Sequence, residues 1–384
     1  MKEERMDFTL SEKHKMAQQL FRDFALAEVK PLAQEIDKEH RFPDETVEKM
    51  AKYGFLGIPF AKEFGGQGCD TLTYAMCVEE LSRVCASTGV IVSAHTSLCA
   101  SLIEKFGSKE QKEKYLVPLA KGEKLGAFGL TEPEAGTDAA GQQTTAVLDG
   151  DEYIINGSKI FITNAGKADI YCIFAMTDRS KGNHGISCFI LEKGMEGFSF
   201  GIAEDKMGIH ASSTRELIFN NVRVPKENLV GKEGKGFGIA MGTLDGGRIG
   251  IAAQALGIAQ GALDIAKDYV KERKQFGRPL AKFQNTQFKL AEMEIEVQAA
   301  RLLVYRAAMA KDTQKRYSVE AATAKLKAAR VASWVTNRAV QLLGGYGYMV
   351  DYDVERMMRD AKITEIYEGT SEVMLMVVGG DLLK

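Results

Sequence analysis

The stretch AKITEIYEGTSEVMLMV, residues 361–377, carries three carboxylates in unequal settings. Glu365 and Glu372 read as ordinary polar residues. Glu368 follows Ile366 and Tyr367 and is followed at once by Gly369 and Thr370. A carboxyl between an apolar shoulder and a glycine has two readings. One is a helix N-cap or a solvated turn. The other is a general base, made more basic by apolar neighbours, with a glycine that lets a ligand pass close by.

Other chemistries find little support. The five histidines, His14, His40, His95, His184 and His210, are scattered without HExxH or similar ligand spacing, so no metal site is expected. GKEGKGFG and GGYGYM are glycine-rich, but neither follows a strand inside a βαβ unit. Neither GxxxxGK[ST] nor GxSxG occurs. Acid–base chemistry therefore rests on carboxylates, and harder chemistry on a bound organic cofactor. Five stretches have the composition to hold one: GAFGLTEPEAGTDAAGQQTT, SKIFITNAG, LDGGRIGIAAQALG, KERKQFGRPLAKFQNTQF and QLLGGYGY. They offer hydroxyls, backbone N–H groups, an aromatic, Arg248 just behind two glycines near a helix start, and glycines that permit close approach.

The elements that must position these residues change character twice. Residues 1–125 read as helical, with Asp44 as an N-cap and Ser108 with Gln111 as a capping box. Residues 126–232 read at period two as short antiparallel strands forming a small barrel. Asp149-Gly150 and Asn156-Gly157 are its tight turns. Residues 233–384 return to long proline-free helices, suited to a four-helix bundle. The class is α+β: an all-α domain, a β domain and a helical bundle.

With 384 residues, two or three domains are the natural expectation. Fifty Lys+Arg against 52 Asp+Glu leave no basic excess for nucleic acid or an anionic membrane. The charged N-terminus lacks the apolar region of a leader, and no stretch reads as a spanning helix. The six cysteines form no CxxC pair and are expected as thiols. A cytoplasmic enzyme without membrane insertion fits these features.

Taken in order, FGLTEPEAGTD, FITN, RKQFG, QLLGGYGY and IYEGTSE resemble the acyl-CoA dehydrogenase family of flavoenzymes over nearly the whole chain. LDGGRIGIAAQALGIAQGAL and IYEGTSE are most similar to its short-chain, bacterial butyryl-CoA branch. The resemblance implies FAD, its ring side held by Phe128, Gly129, Leu130, Thr131, Gly136, Thr137, Phe161, Ile162 and Thr163. It implies an adenylate side held by Arg273, Gln275, Phe276, Gln284, Gln341, Leu342, Gly344, Gly345, Thr370, Ser371 and Glu372. The acyl-CoA is implied to lie against Thr137, Asp245, Gly246, Gly247, Arg248, Tyr367 and Gly369.

Glu368 is then the base that removes the α-proton, the β-hydrogen passing as hydride to flavin N5. The thioester oxygen is implied to accept from the Glu368 N–H and a ribityl hydroxyl. Electron-transfer flavoprotein is the implied partner, and a homotetramer the implied assembly, with neighbours sharing FAD contacts. Phe161 stands where many relatives carry Trp, and Met374-Leu375 where polar residues are common. Branches acting on branched or very long chains can carry their base at the LDGGR position. Gly246 and Gly247 leave only Glu368 here, which favours a short straight chain, butyryl-CoA to crotonyl-CoA. The reverse enoyl-CoA reduction, an oxidase and a non-catalytic acyl-CoA-binding relative stay open as alternatives.

Overall fold

The computed structural model describes residues 9–384; residues 1–8, on which part of the reading of the N-terminus rests, lie outside the described residues. Eight helices open it: α1 (Glu12–Phe24), α2 (Ala33–Lys38), α3 (Asp44–Lys52), α4 (Thr71–Ser82), α5 (Ala86–Ser93), α6 (Ser101–Phe106), α7 (Lys109–Gln111) and α8 (Val117–Ala120). Their starts are encoded locally. Ser11 accepts from His14 N at α1, Asp70 from Thr73 N at α4, and Ser108 closes its capping box with Gln111 at α7. Asp44 is not the cap of α3 but its first residue. Pro43 holds the non-helical cap position, and Asp44 faces the positive end of the helix dipole from inside the first turn.

Strands β1 (Gly126–Gly129), β2 (Thr145–Asp149), β3 (Glu152–Thr163), β4 (Ile170–Met176), β5 (Ile186–Glu192), β6 (Phe198–Ala203), β7 (Thr214–Pro225) and β8 (Leu229–Val230) form one sheet. Its order is β6-β7-β3-β2-β4-β5-β8, with β1 beside β4. Pairing is antiparallel except where β4 meets β1 and, at Thr145–Met176, β2. The unbroken apolar run IYCIFAM of β4 is buried throughout, as a strand covered on both faces requires. Gly150, at φ 65°, turns the β2–β3 hairpin. Asn156-Gly157 is no turn: β3 runs straight through it with a bulge. Gly157 lies so close to Thr144 that a Cβ would come within 2.7 Å of its Cα, which makes the glycine a site of backbone approach.

Five more helices follow: α9 (Gly236–Glu272), α10 (Gln284–Thr313), α11 (Ser318–Leu343), α12 (Val354–Ile363) and α13 (Ser371–Leu382). α9 begins well before LDGGR, so those glycines lie in a helix interior rather than near its start. Each such glycine costs about 1 kcal/mol against alanine and needs a reason. Both helical segments share one apolar core, which includes Val78 of α4, Leu256 of α9 and Val335 of α11.

Contrary to the sequence expectation, two helical stretches, Ala86–Phe106 (α5 through α6) and Gly236–Glu272 (α9), are long and apolar enough to cross a membrane. Their most apolar windows are 94% and 89% buried inside the protein, as core helices are. Three parts of the chain are pinned together by charge. Arg359 of α12 pairs with Asp37 of α2 at 2.7 Å, His210 approaches the same carboxylate at 3.2 Å, and Ile209 N donates to Asp360 Oδ1 at 2.5 Å.

Candidate active site

The connection between α12 and α13 holds Glu368 at φ 53° and Gly369 at φ 102°. A non-glycine residue in this left-handed region costs about 1–3 kcal/mol and persists only where its surroundings impose it. Arg248 Nε donates to Glu368 O at 3.3 Å, and Lys325 Nζ donates to Gly369 O at 2.6 Å. Ser371 N donates to Glu365 O at 2.9 Å. The N-cap of α13 is Thr370, whose side chain accepts from Val373 N at 3.4 Å. Glu368 is therefore released from capping.

Its carboxyl is aimed inward. Oε2 is buried and has no hydrogen-bond partner. A Cβ on Gly247 would stand 2.2 Å from Oε2 and 2.6 Å from Leu98 Cδ2, which explains a glycine deep inside α9. The residue as a whole is only half-buried, so part of it stays open to solvent although Oε2 is enclosed. Burial pushes the carboxyl up to about 8, against the opposing pull of Lys325 and Arg248. Such a group accepts protons near neutrality. The Glu368 backbone N–H donates to no acceptor among the described residues and is free to serve a ligand oxygen.

Tyr367 Oη donates to Gln254 Oε1, whose Nε2 donates to Ala86 O at 3.0 Å. Asp245 holds Arg248 Nη1 at 2.7 Å and accepts from Ser318 Oγ. Gly247, Arg248, Tyr367 and Gly369 thus converge on Glu368, with Asp245 behind Arg248. Gly246, one residue on, faces Lys311, whose Nζ would lie 3.5 Å from a Cβ there. Thr137 and Gly136 are exposed on the segment after β1.

A second group gathers where β1 ends. Ile160 N donates to Thr131 O at 2.9 Å, placing Thr131 beside Phe161, Ile162 and Thr163. A register shift between Lys159 and Ile162 leaves Phe161 at φ 59° and 61% exposed, an aromatic face offered outward. Phe128 and Leu130 are buried, and Gly129 leaves room for Ile173 and Leu217, each 3.0 Å from a Cβ built there.

A third group lines a cavity of about 460 Å³ that includes Arg273, Gln275, Leu342, Gly344 and Gly345. Gly344, at φ 64°, ends α11, and a Cβ on either glycine would meet nothing within 4 Å. Phe276, Gln284 and Gln341 are exposed and do not line it. None of the ring-side residues nor Glu368 lines it. Thr370, Ser371 and Glu372 open α13, a capping position.

Three features escaped the sequence reading. Lys325 is fully buried against the turn, although its place on the Ala321, Ala328, Ala332 face of α11 was a signal. Gln254 anchors Tyr367. Lys159, also fully buried, donates to Leu130 O, Glu132 Oε1 and Gln142 Oε1 at 3.2, 2.6 and 3.0 Å and so braces the segment carrying Thr131. Burial pushes Lys159 down to about 8, with Glu132 opposing.

Family models for the N-terminal, middle and C-terminal domains of acyl-CoA dehydrogenase match residues 11–123, 127–222 and 234–383. A short-chain-specific acyl-CoA dehydrogenase of Clostridium acetobutylicum is 64% identical, over 99% of this chain and 100% of its own. The structure is similar to butyryl-CoA dehydrogenase of Megasphaera elsdenii, with TM-score 0.97, 55% identity, and 99% and 100% of the two chains covered. It is also similar to a chain solved in work on the electron-transferring flavoprotein of Acidaminococcus fermentans and flavin-based electron bifurcation. There the TM-score is 0.98, with 59% identity and 99% and 100% coverage.

Proposed function

From a chain that belongs to the acyl-CoA dehydrogenase family, we propose an FAD-dependent dehydrogenase of short straight-chain acyl-CoA, converting butyryl-CoA to crotonyl-CoA and exchanging electrons with an electron-transfer flavoprotein. One observation carries the proposal. A single carboxylate oxygen, buried and unpartnered, lies against a glycine, and the backbone N–H of the same residue has no acceptor among the described residues.

The residues fit FAD. Phe161 presents an exposed ring beside Thr131 and Thr163, and the cavity at Gly344 and Gly345 has open space where side chains would otherwise stand. Bound there, the cofactor supplies the two-electron acceptor for the β-hydrogen. The chain's own part is proton chemistry and positioning. Glu368 takes the α-proton, and its low hydration favours the neutral product acid. The Glu368 N–H donates to the thioester oxygen, stabilising charge as the C–H bond breaks. Gly247 leaves room for the carboxyl itself, and Arg248 holds the carbonyl of the same turn. The same base serves the reverse reduction by microscopic reversibility.

We further propose a homotetramer in which neighbours complete each other's cofactor site; on one chain no ring-side residue lines the cavity at Gly344 and Gly345. A cytoplasmic location, with all six cysteines free, completes the proposal. Purified protein should be yellow, and butyryl-CoA should bleach it anaerobically, more readily than longer acyl chains up to C12. A colourless preparation that takes up no FAD, or a yellow one that no acyl-CoA bleaches, would sink it.

A further inference from the structure

Lys325 has no exposed surface and lies among the buried alanines of α11. A lysine so placed must find a partner or surrender its charge. Its one described hydrogen bond runs to Gly369 O, at 2.6 Å, and it makes no ion pair among the described residues. Arg248, the other cation at the turn, is already matched by Asp245 at 2.7 Å.

We propose that Lys325 is the positioning residue of the base. Its ammonium clamps the Glu368–Gly369 turn through the Gly369 carbonyl and is the uncompensated positive charge beside which the Glu368 carboxylate forms. The inference rests on Glu368 being the base, as proposed above.

The charged and titratable neighbours leave this role to Lys325. α4 contributes Tyr74, and α9 contributes Arg248 with Asp245. The α12–α13 connection contributes Glu365 and Tyr367, and α13 contributes Glu372. Tyr74 and Tyr367 are kept neutral by burial. Glu365 is paired with Lys362 at 2.5 Å, and Glu372 is exposed. Loss of Lys325 alters the surroundings of Glu368 by a full charge without breaking an ion pair, whereas loss of Arg248 would break its pair with Asp245. Burial pushes Lys325 down to about 8, with Glu368 the strongest opposing influence, as mutual dependence requires.

Lys325→Met keeps most of the volume and removes the charge, whereas Lys325→Arg keeps the charge. An infrared pH titration of the Glu368 carboxyl reads the base without substrate. Its signal is isolated as the difference between each protein and the same protein carrying Glu368→Gln. Lys325→Met should move the midpoint up by about one pH unit, a tenfold change in proton affinity. Single-turnover bleaching by butyryl-CoA should fall about tenfold near neutrality and recover at high pH, with flavin content and substrate affinity nearly unchanged. Lys325→Arg should restore the wild-type midpoint.

An unmoved midpoint, or a rate loss equal at every pH, overturns the proposal. If Lys325→Met does not fold, the same titration on Lys325→Gln decides in the same way. Wild-type protein that no acyl-CoA bleaches would refute the enzymatic reading, while a shifted midpoint in Lys325→Met would still sustain the link between the two residues.

Discussion

Replacing Glu368 by glutamine removes the proton acceptor but leaves the backbone contacts to Arg248 and Lys325 in place. We expect Glu368→Gln to stay yellow, to bind butyryl-CoA, and to bleach about 10³-fold more slowly, as loss of a general base predicts. Stability should move the other way. Folded Glu368 holds its proton up to about 8, against an ordinary value of 4.5. Between those pH values the folded state binds more protons than the unfolded chain, so this group's contribution falls as pH rises. The melting temperature of Glu368→Gln should therefore exceed that of wild type by a margin that grows from about pH 4.5 to about pH 8. A margin independent of pH would contradict the burial argument. At this scale the sequence was half legible. The apolar shoulder of Ile366 and Tyr367 marked the carboxyl. That Thr370, not Glu368, caps the next helix depends on the dihedral angles of the turn, which residue types alone leave open.

Elements bring these residues to Glu368, and the segment after β1 depends on one buried ion pair. Lys159 and Glu132 meet at 2.6 Å, both almost fully buried, and Glu132 also accepts from Thr144 N at 3.1 Å. Lys159→Met strands that carboxylate and should cost about 3–5 kcal/mol in denaturant unfolding, with weaker FAD retention because Leu130 and Thr131 lose their brace. Adding Glu132→Gln to it should recover much of the loss. A double variant no more stable than the single would rule the pair out as the cause. Alternation made β3 and β7 readable, apolar runs marked β4 and β5, and uninterrupted helical spacing marked α10 and α11. Asn156-Gly157 misled because the dipeptide that favours a hairpin turn also tolerates a bulge. The LDGGR glycines misled because glycine commonly marks a helix boundary. Here Gly247 is the space left for a carboxylate from another element, and Gly246 faces Lys311.

Across the whole molecule, neither Glu368 nor the residues that meet it, Gly247, Arg248, Lys325, Tyr367 and Gly369, line the cavity with Arg273. If each cofactor spans two chains, two defective chains can complement each other. Co-expressing Arg273→Ala with Glu368→Gln should give mixed assemblies that bleach with butyryl-CoA, although Arg273→Ala alone retains FAD poorly and Glu368→Gln alone reacts about 10³-fold more slowly. Mixed assemblies no more active than the two variants measured apart would place both halves of the cofactor on one chain. Sedimentation of the purified protein checks the tetramer directly.

Read by itself, the sequence determined the order of helices, strands and helices, and singled out the carboxyl that we propose as the base. Those properties are carried by neighbouring residues, at periods of 3.6 and 2.0 that a short stretch displays in full. The tertiary structure alone decided that Arg248, 120 positions away, and Lys325, 44 positions away, would hold one turn, and that Gly247 would make room for its side chain. Such meetings depend on the depth and rotation at which whole helices pack, and no local run of residues fixes either.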